Sequence, residues 1–215
     1  MIVNHELKLV FVATPRTASR SMSAALMELP GSKELEGGRH RNQIPEEALG
    51  YWKFAFVRNP YSREYSHYRY RQKNDPPSPL KQKTKDMTFG QYVKWHVEDA
   101  GSQEDPPQAE FLRNIKLDLL LRFEELPQCL MKIPRKFADR ILKRPYFRFP
   151  HLYRLTVGQD WRNAYNASIA VQIQTWARQD FIEFNYDPNS WITSDALNPG
   201  SDNQLEKAKE CQKNS

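Results

Sequence analysis

The continuous apolar run Leu9 to Ala13 constrains the fold more than any other feature of the chain. Thr14 and Pro15 break it at once, and from Ser19 onward Met22, Ala25, Leu26 and Leu29 recur at spacings of three and four. A short unbroken apolar run bounded by turn residues is the pattern of a strand buried on both faces, and the later spacing is that of a helix. The expectation over Leu7 to Met22 is therefore strand, tight loop, helix. Such a loop points backbone N–H groups, and the positive end of the helix dipole (about half a unit charge), at one place where an anion fits. Arg16, Ser19, Arg20 and Ser21 add donors there. On these residues alone an ordinary solvated turn is equally open.

The same pattern recurs. Trp52 to Val57, WKFAFV, reads as a second buried strand; Arg58 and Asn59 close it, and Pro60 opens the helical stretch PYSREYSHYRYRQ, with Tyr61, Tyr65 and Tyr68 on one face. A third strand is expected in LDLLLRF, Leu117 to Phe123. Strands alternating with helices imply an α/β fold with a central parallel β-sheet flanked by helices, and ligands then sit at the carboxyl ends of the strands. The loop Arg16 to Ser21, the turn Gly37-Gly38-Arg39-His40 and Arg58 all fall at or near such ends. Two units that each end in arginine and hydroxyls would hold two separate anionic groups, as a bis-phosphorylated nucleotide requires.

Composition bears on partners and compartment. Thirty-two Lys and Arg against 26 Asp and Glu give a net charge of +6, which favours anionic partners. The charges are mixed through the chain with no basic tract, so a dedicated nucleic-acid arm is not indicated. At 215 residues, 39% of them hydrophobic, one sizeable core is expected. A mean hydropathy of -0.79, no apolar run near the ~20 residues of a membrane helix, and no charged-then-apolar order in Met1 to Lys8 lead to the expectation of a cytoplasmic protein without a membrane span. Cys129 and Cys211 lie far apart, so neither a structural disulfide nor a metal site is expected. Asn166, in Asn-Ala-Ser, reads as a chance glycosylation match in mid-helix.

Elsewhere, Ser32 to Glu36 suits a short strand and Ile44 to Leu49 carries a weak helical signal. Lys73 to Lys85, with its prolines and lysines, reads as a mobile surface loop. Met87 to Val97 is expected to be helical, as is a short piece from Gln108 and the segment Leu126 to Phe137, interrupted at Pro134. From Arg135 to Arg154 basic residues alternate with aromatics, either an anion-binding wall or a solvated basic surface. Trp161 to Phe184 gives the longest helical signal, its stripe Tyr165, Ile169, Ile173 and Trp176 belonging to the core. The domain is expected over residues 1–188, with 189–215 a partly disordered extension.

A P-loop nucleotide kinase is the obvious rival. Its loop needs G-x-x-x-x-G-K-[ST] and an acidic residue after a strand for magnesium; this loop has neither glycine nor lysine, and neither LVFVATP nor FAFVRNP ends in Asp. A module that binds nucleotide or nucleic acid without catalysis is the other alternative.

FVATPRTASRSM, FAFVRNPYSREYSHY, LLLRFEEL and DFIEFNYDP together resemble the sulfotransferases that use 3′-phosphoadenylyl sulfate (PAPS), of the type that includes many carbohydrate sulfotransferases. The resemblance runs with gaps from Leu9 to Pro188. It implies a P-loop-like fold, PAPS as donor with 3′,5′-bisphosphoadenosine as product, a hydroxyl acceptor of carbohydrate type and no metal. R-N-P-x-x-R-x-x-S-x-Y, Arg58 to Tyr68, is similar to the family's 3′-phosphate strand and helix, which gives those roles to Arg58 and Ser66. TPRTASRSM is similar to the 5′-phosphosulfate loop, which implies cofactor contacts from Arg16, Thr17, Ala18, Ser19, Arg20, Ser21 and Met22. Arg16 stands where the family usually has lysine, and Arg20 where it has Thr or Ser. His40 resembles the histidine that serves as base for the acceptor hydroxyl, an imidazole near pKa 6.5 being suited to that task. Ordering of the Gly37-Gly38 turn is its other reading; Glu28, Glu46 and Glu47 are alternative bases. His67 reads as a surface or packing residue, and Arg122 and Glu124 as architectural.

Overall fold

The computed structural model describes residues 1–38, 40–73, 78–98, 105–142 and 160–193. The chain divides into two compact units, Met1–Asn59 with Gln108–Arg154, and Pro60–Pro107 with Leu155–Ser215.

The first unit is built on a five-stranded sheet. Strands β1 (Ile2–Asn4), β2 (Leu9–Val12), β3 (Ser32–Glu34), β4 (Trp52–Val57) and β5 (Leu119–Arg122) lie in the order β3-β1-β2-β4-β5. β2, β4 and β5 are parallel neighbours, with Phe11 opposite Phe54 and Val57 opposite Arg122. The central strands are thus parallel, as expected from the sequence, while β1 at the side of the sheet runs antiparallel to both β2 and β3. Asn4 explains how so short a strand is held: its Nδ2 donates to the Pro30 carbonyl and to Ser32 Oγ, both at 2.8 Å, and its Oδ1 accepts from Leu7 N–H at 2.7 Å.

All four residues of β2 are fully buried, as an apolar run covered on both faces requires. Phe11 packs on Phe54 at a ring separation of 5.0 Å, and Trp52 stacks on Phe137 at 4.8 Å. Met22 and Leu26 of helix α1 (Ser19–Met27) join this cluster, fixing the helix against the sheet. Each such large apolar side chain contributes about 1.5–3 kcal/mol on burial. The segment expected as an interrupted helix over Leu126 to Phe137 is a 3-10 turn, Gln128–Lys132, then a helix Arg135–Leu142 that Pro134 precedes.

In the second unit, α2 (Pro60–Gln72) buries Tyr61 and Tyr65 and half-buries Tyr68, Tyr61 meeting Tyr165 at 5.0 Å and Tyr65 meeting Phe89 at 5.5 Å. The loop expected over Lys73 to Lys85 contains α3 (Pro79–Thr84), whose cap Ser78 accepts from Lys81 N–H. Lys81 is 3% exposed with its ammonium 4.4 Å from the Tyr70 ring centre, so aromatic packing outweighs the loop-like composition. α4 spans Phe89–Glu98. The single helix expected over Trp161 to Phe184 is three pieces: a 3-10 turn Trp161–Ala164 and helices Ala167–Trp176 and Arg178–Glu183. Asn166 stands at the second start, not in mid-helix, its Oδ1 accepting from Ile169 N–H. The expectations for 194–215 and for 143–154 of the basic and aromatic stretch lie outside the described residues.

Candidate functional site

The loop between β2 and α1 is tight and unusually shaped. Arg16 has φ 65° and Ala18 φ 63°, with Thr17 between them not in the positive range. Backbone whose φ alternates in sign turns successive N–H groups toward one concave side, the form of an anion-binding nest. Glycine usually fills such positions; here two side-chain-bearing residues hold them, at a cost of about 1–2 kcal/mol each. The surrounding bonds fix the shape: Thr17 Oγ1 donates to the Thr14 carbonyl at 2.8 Å, and Thr14 N–H to the Val12 carbonyl at 3.1 Å. Thr14 Oγ1 is fully buried with no hydrogen-bond partner among the described residues.

Helix α1 starts directly from this loop. Ala18 caps it without a side-chain bond, and its first turn contains no acidic residue. The first intrahelical bond is Met22 N–H to Ala18 O, 3.1 Å, so the N–H groups of Ser19, Arg20 and Ser21 precede the helical ladder. With the dipole behind them they form, with the nest, a donor set suited to an oxyanion. Ser19 and Ser21 are buried at 5% and 7% exposure, and Arg16 and Arg20 are half-buried. Met22 has its N–H bonded within the helix and its side chain in the core.

Arg58, at the carboxyl end of β4, reaches the same loop. Its Nη1 donates to the Arg16 carbonyl at 3.3 Å, and its guanidinium lies 4.2 Å from the Phe123 ring centre. Its backbone is clamped by Gln108, whose Oε1 accepts from Arg58 N–H and whose Nε2 donates to Arg58 O, both at 2.8 Å. Glu124 Oε1 accepts from Asn59 N–H at 2.7 Å. Gln108 is fully buried, and nothing in the local pattern around Pro106-Pro107-Gln108 marks it.

His40 follows Gly37 and Gly38, whose φ values of 84° and 91° turn the chain in a way side chains resist. The exposed ring returns to the loop: Nδ1 lies 2.6 Å from the Ala13 carbonyl. A carbonyl only accepts, so Nδ1 carries the hydrogen, and in the neutral ring Nε2 then holds the lone pair. Ala13, Arg16, Arg58 and His40 are thus brought together around one loop. Ser66 belongs to the second unit, on α2, at 4% exposure. Arg39 lies outside the described residues.

Among the described residues no helix is long and apolar enough to cross a membrane. No curated protein and no solved structure matches the chain. The model of the sulfotransferase family matches residues 1–132, which take in β1 to β5, the nest, His40 and Arg58. With well over half of its length matched, the chain belongs to the sulfotransferase family, enzymes that transfer a sulfuryl group.

Proposed function

We propose that the chain transfers the sulfuryl group of PAPS to a hydroxyl of a carbohydrate acceptor, on a P-loop-like α/β frame and without a metal. The observation that carries this reading is the nest at Arg16 and Ala18, opening onto the uncapped start of α1 and tied to Arg58 through the Arg16 carbonyl. That donor set fits a phosphosulfate, and the arginine at the end of the next parallel strand fits a second anionic group.

When bound, PAPS supplies an activated sulfur whose bond to the bridging phosphate oxygen breaks as the acceptor oxygen attacks. Negative charge then grows toward the phosphate. The loop amides and Arg16 meet that charge already in position, which lowers the barrier more than it tightens ground-state binding. Arginine at this place grips phosphate through a fork where lysine would act as a point charge. Thr17, Ala18, Ser19, Arg20 and Ser21 line the same loop. Arg58 holds the 3′-phosphate, and Ser66 has the paired role on the strength of the sequence pattern. His40 accepts the acceptor proton at Nε2, the tautomer that the Ala13 bond favours.

The decisive experiment follows transfer of labelled sulfate from PAPS to a panel of glycans, beside a thermal-shift comparison of 3′,5′-bisphosphoadenosine with ATP plus magnesium. Stabilisation by the bisphosphate and labelled glycan are expected, since a ligand that binds the folded state raises its apparent stability. Preference for ATP plus magnesium, without sulfate transfer, would overturn the reading.

A further inference from the structure

Three carbonyl groups in the segment from Ala13 to Arg16 are each tied by a side chain. His40 Nδ1 donates to the Ala13 carbonyl at 2.6 Å, Thr17 Oγ1 to the Thr14 carbonyl at 2.8 Å, and Arg58 Nη1 to the Arg16 carbonyl at 3.3 Å. The third tie comes from a rigid support. Arg58 stands at the end of β4, the parallel neighbour of β2, and is 7% exposed. Gln108 holds both of its backbone groups at 2.8 Å, and its guanidinium lies 4.2 Å from the Phe123 ring centre.

The Arg16 carbonyl and the Thr17 N–H belong to one peptide unit. Such a unit is planar and trans, so its C=O and its N–H point in opposite directions. A side chain that grips the carbonyl therefore sets the direction of the N–H on the far edge. The Thr17 hydroxyl is committed to the Thr14 carbonyl, whereas the Thr17 N–H is hydrogen-bonded to no described residue. On either side of Thr17, Arg16 and Ala18 have φ 65° and 63°, backbone that keeps its shape only where contacts over-determine it. At 3.3 Å the Arg58 bond is slightly longer than the usual range of about 2.7–3.2 Å, which leaves room for it to tighten.

We infer that Arg58 is a positioning residue for the Arg16–Thr17 peptide, so that an anion seated on its guanidinium aligns the Thr17 amide for the group being transferred. The inference rests on the reading of the chain as a PAPS-dependent transferase, and adds that the 3′-phosphate contributes to rate as well as to affinity. Binding energy from a remote part of a substrate that is used for alignment at the reacting centre appears in kcat, and a truncated substrate loses it there. Adenylyl sulfate is the truncated donor. With it the same sulfur–oxygen bond to the phosphate breaks, the same bond to the acceptor oxygen forms and the acceptor proton goes to His40, leaving AMP, but no 3′-phosphate anchors Arg58. Donors are then distinguished in the transfer step itself.

Two readouts on the full chain test this. The first needs no turnover: adenosine 3′-phosphate, which carries no 5′ group, is titrated into isotopically labelled protein and followed by amide NMR. At saturation the Thr17 amide resonance should move in the unmodified chain and stay in place in Arg58→Lys, whose ammonium meets the phosphate but has no fork to keep the carbonyl as well. The second separates kcat from KM with labelled sulfate and a glycan that accepts it. At saturating donor, adenylyl sulfate should give a kcat about 10- to 100-fold below that of PAPS, the cost of a slightly misplaced group. Phosphite, a small dianion, should restore part of that loss in the unmodified chain and none in Arg58→Lys. The donor comparison in the unmodified chain stands even where the variant fails to fold. A Thr17 amide that ignores adenosine 3′-phosphate, one that moves equally in Arg58→Lys, or equal kcat for the two donors overturns the inference. Transfer from neither donor sinks the PAPS reading instead, and the amide shift still decides the positioning.

Discussion

His40 Nδ1 and the carbonyl oxygen of Ala13 lie 2.6 Å apart, joining a turn exposed to solvent to the buried end of the apolar run that leads into the nest. One hydrogen bond thereby does two separable things: it leaves Nε2 as the basic nitrogen, and it steadies the loop that follows Ala13.

Two substitutions separate these roles. His40→Ala removes both, and His40→Asn can still donate to the Ala13 carbonyl but offers no base. If His40 takes the acceptor proton, both variants lose on the order of 10²- to 10⁴-fold in kcat while 3′,5′-bisphosphoadenosine binds normally by calorimetry. Near-normal turnover in His40→Asn would reduce the histidine to a loop anchor.

Arg58→Ala should act first on affinity. It removes a guanidinium that holds the Arg16 carbonyl and is proposed to meet the 3′-phosphate, so binding of 3′,5′-bisphosphoadenosine should weaken by about 10- to 100-fold, the range of a charge-assisted hydrogen bond. Arg58→Lys should not restore it, because a point charge neither forks nor lies flat on Phe123. Unchanged affinity in isothermal titration would contradict the assignment.

Ala18→Gly should stabilise the chain. The residue has φ 63° and ψ 19°, a conformation that glycine adopts without strain. Relief of that strain, less the added chain freedom of glycine, should raise stability by about 1 kcal/mol and Tm by roughly 2–4 °C in a melting scan. A fall in Tm would mean that the alanine methyl group contributes packing that outweighs the strain.

Gln108→Ala leaves two backbone groups of Arg58 without their partner. Each unsatisfied buried group costs about 1–3 kcal/mol, so chemical denaturation should show a loss of at least ~2 kcal/mol. In conditions where the variant is folded, nucleotide affinity should also fall, because the frame beneath the Arg58 side chain has loosened.

Cys129 provides a test of the first core. Burial pushes its thiol up from 9.0 to about 11, with the nearby Glu125 carboxylate adding to the effect. The folded state therefore favours the neutral thiol. Its contribution to stability is fully present below pH 9, where the unfolded thiol is also protonated, and is lost as pH rises from 9 toward 11. At pH 8 the folded thiol should react with iodoacetamide about a hundredfold more slowly than an ordinary cysteine, followed by mass spectrometry of the Cys129 peptide. Equal rates in folded and unfolded protein would place it outside a closed core.

Strands β2 and β4 were legible because an unbroken apolar run has only a few places to go, and the starts of α1 at Ser19 and α2 at Pro60 were legible because a breaker precedes each. β1 was not: three residues carry no period, and its pairing depends on Asn4 reaching Pro30 and Ser32 across the chain. The break at Tyr165 and Asn166 was hidden by an apolar stripe that continues through it. The arginines and His40 were visible as residue types at strand ends. Missing from view was the left-handed backbone at Arg16 and Ala18, since the usual sign of such conformations is glycine or asparagine. Gln108 was hidden for a different reason, because it acts on a residue fifty positions away. His67 reads as a surface or packing residue, and its pairing with Asp105, far along the chain, is what makes its burial tolerable.

The clamp of Gln108 and Phe123 on Arg58 has a thermodynamic consequence. An arginine on an open surface samples many rotamers and must surrender that freedom whenever an anion arrives. Arg58, at 7% exposure, with its backbone bonded on both sides and its guanidinium laid on a ring, has already lost most of that freedom. The ordering cost falls on folding, once in the life of the molecule, and each later encounter with ligand draws on a guanidinium that is already aligned.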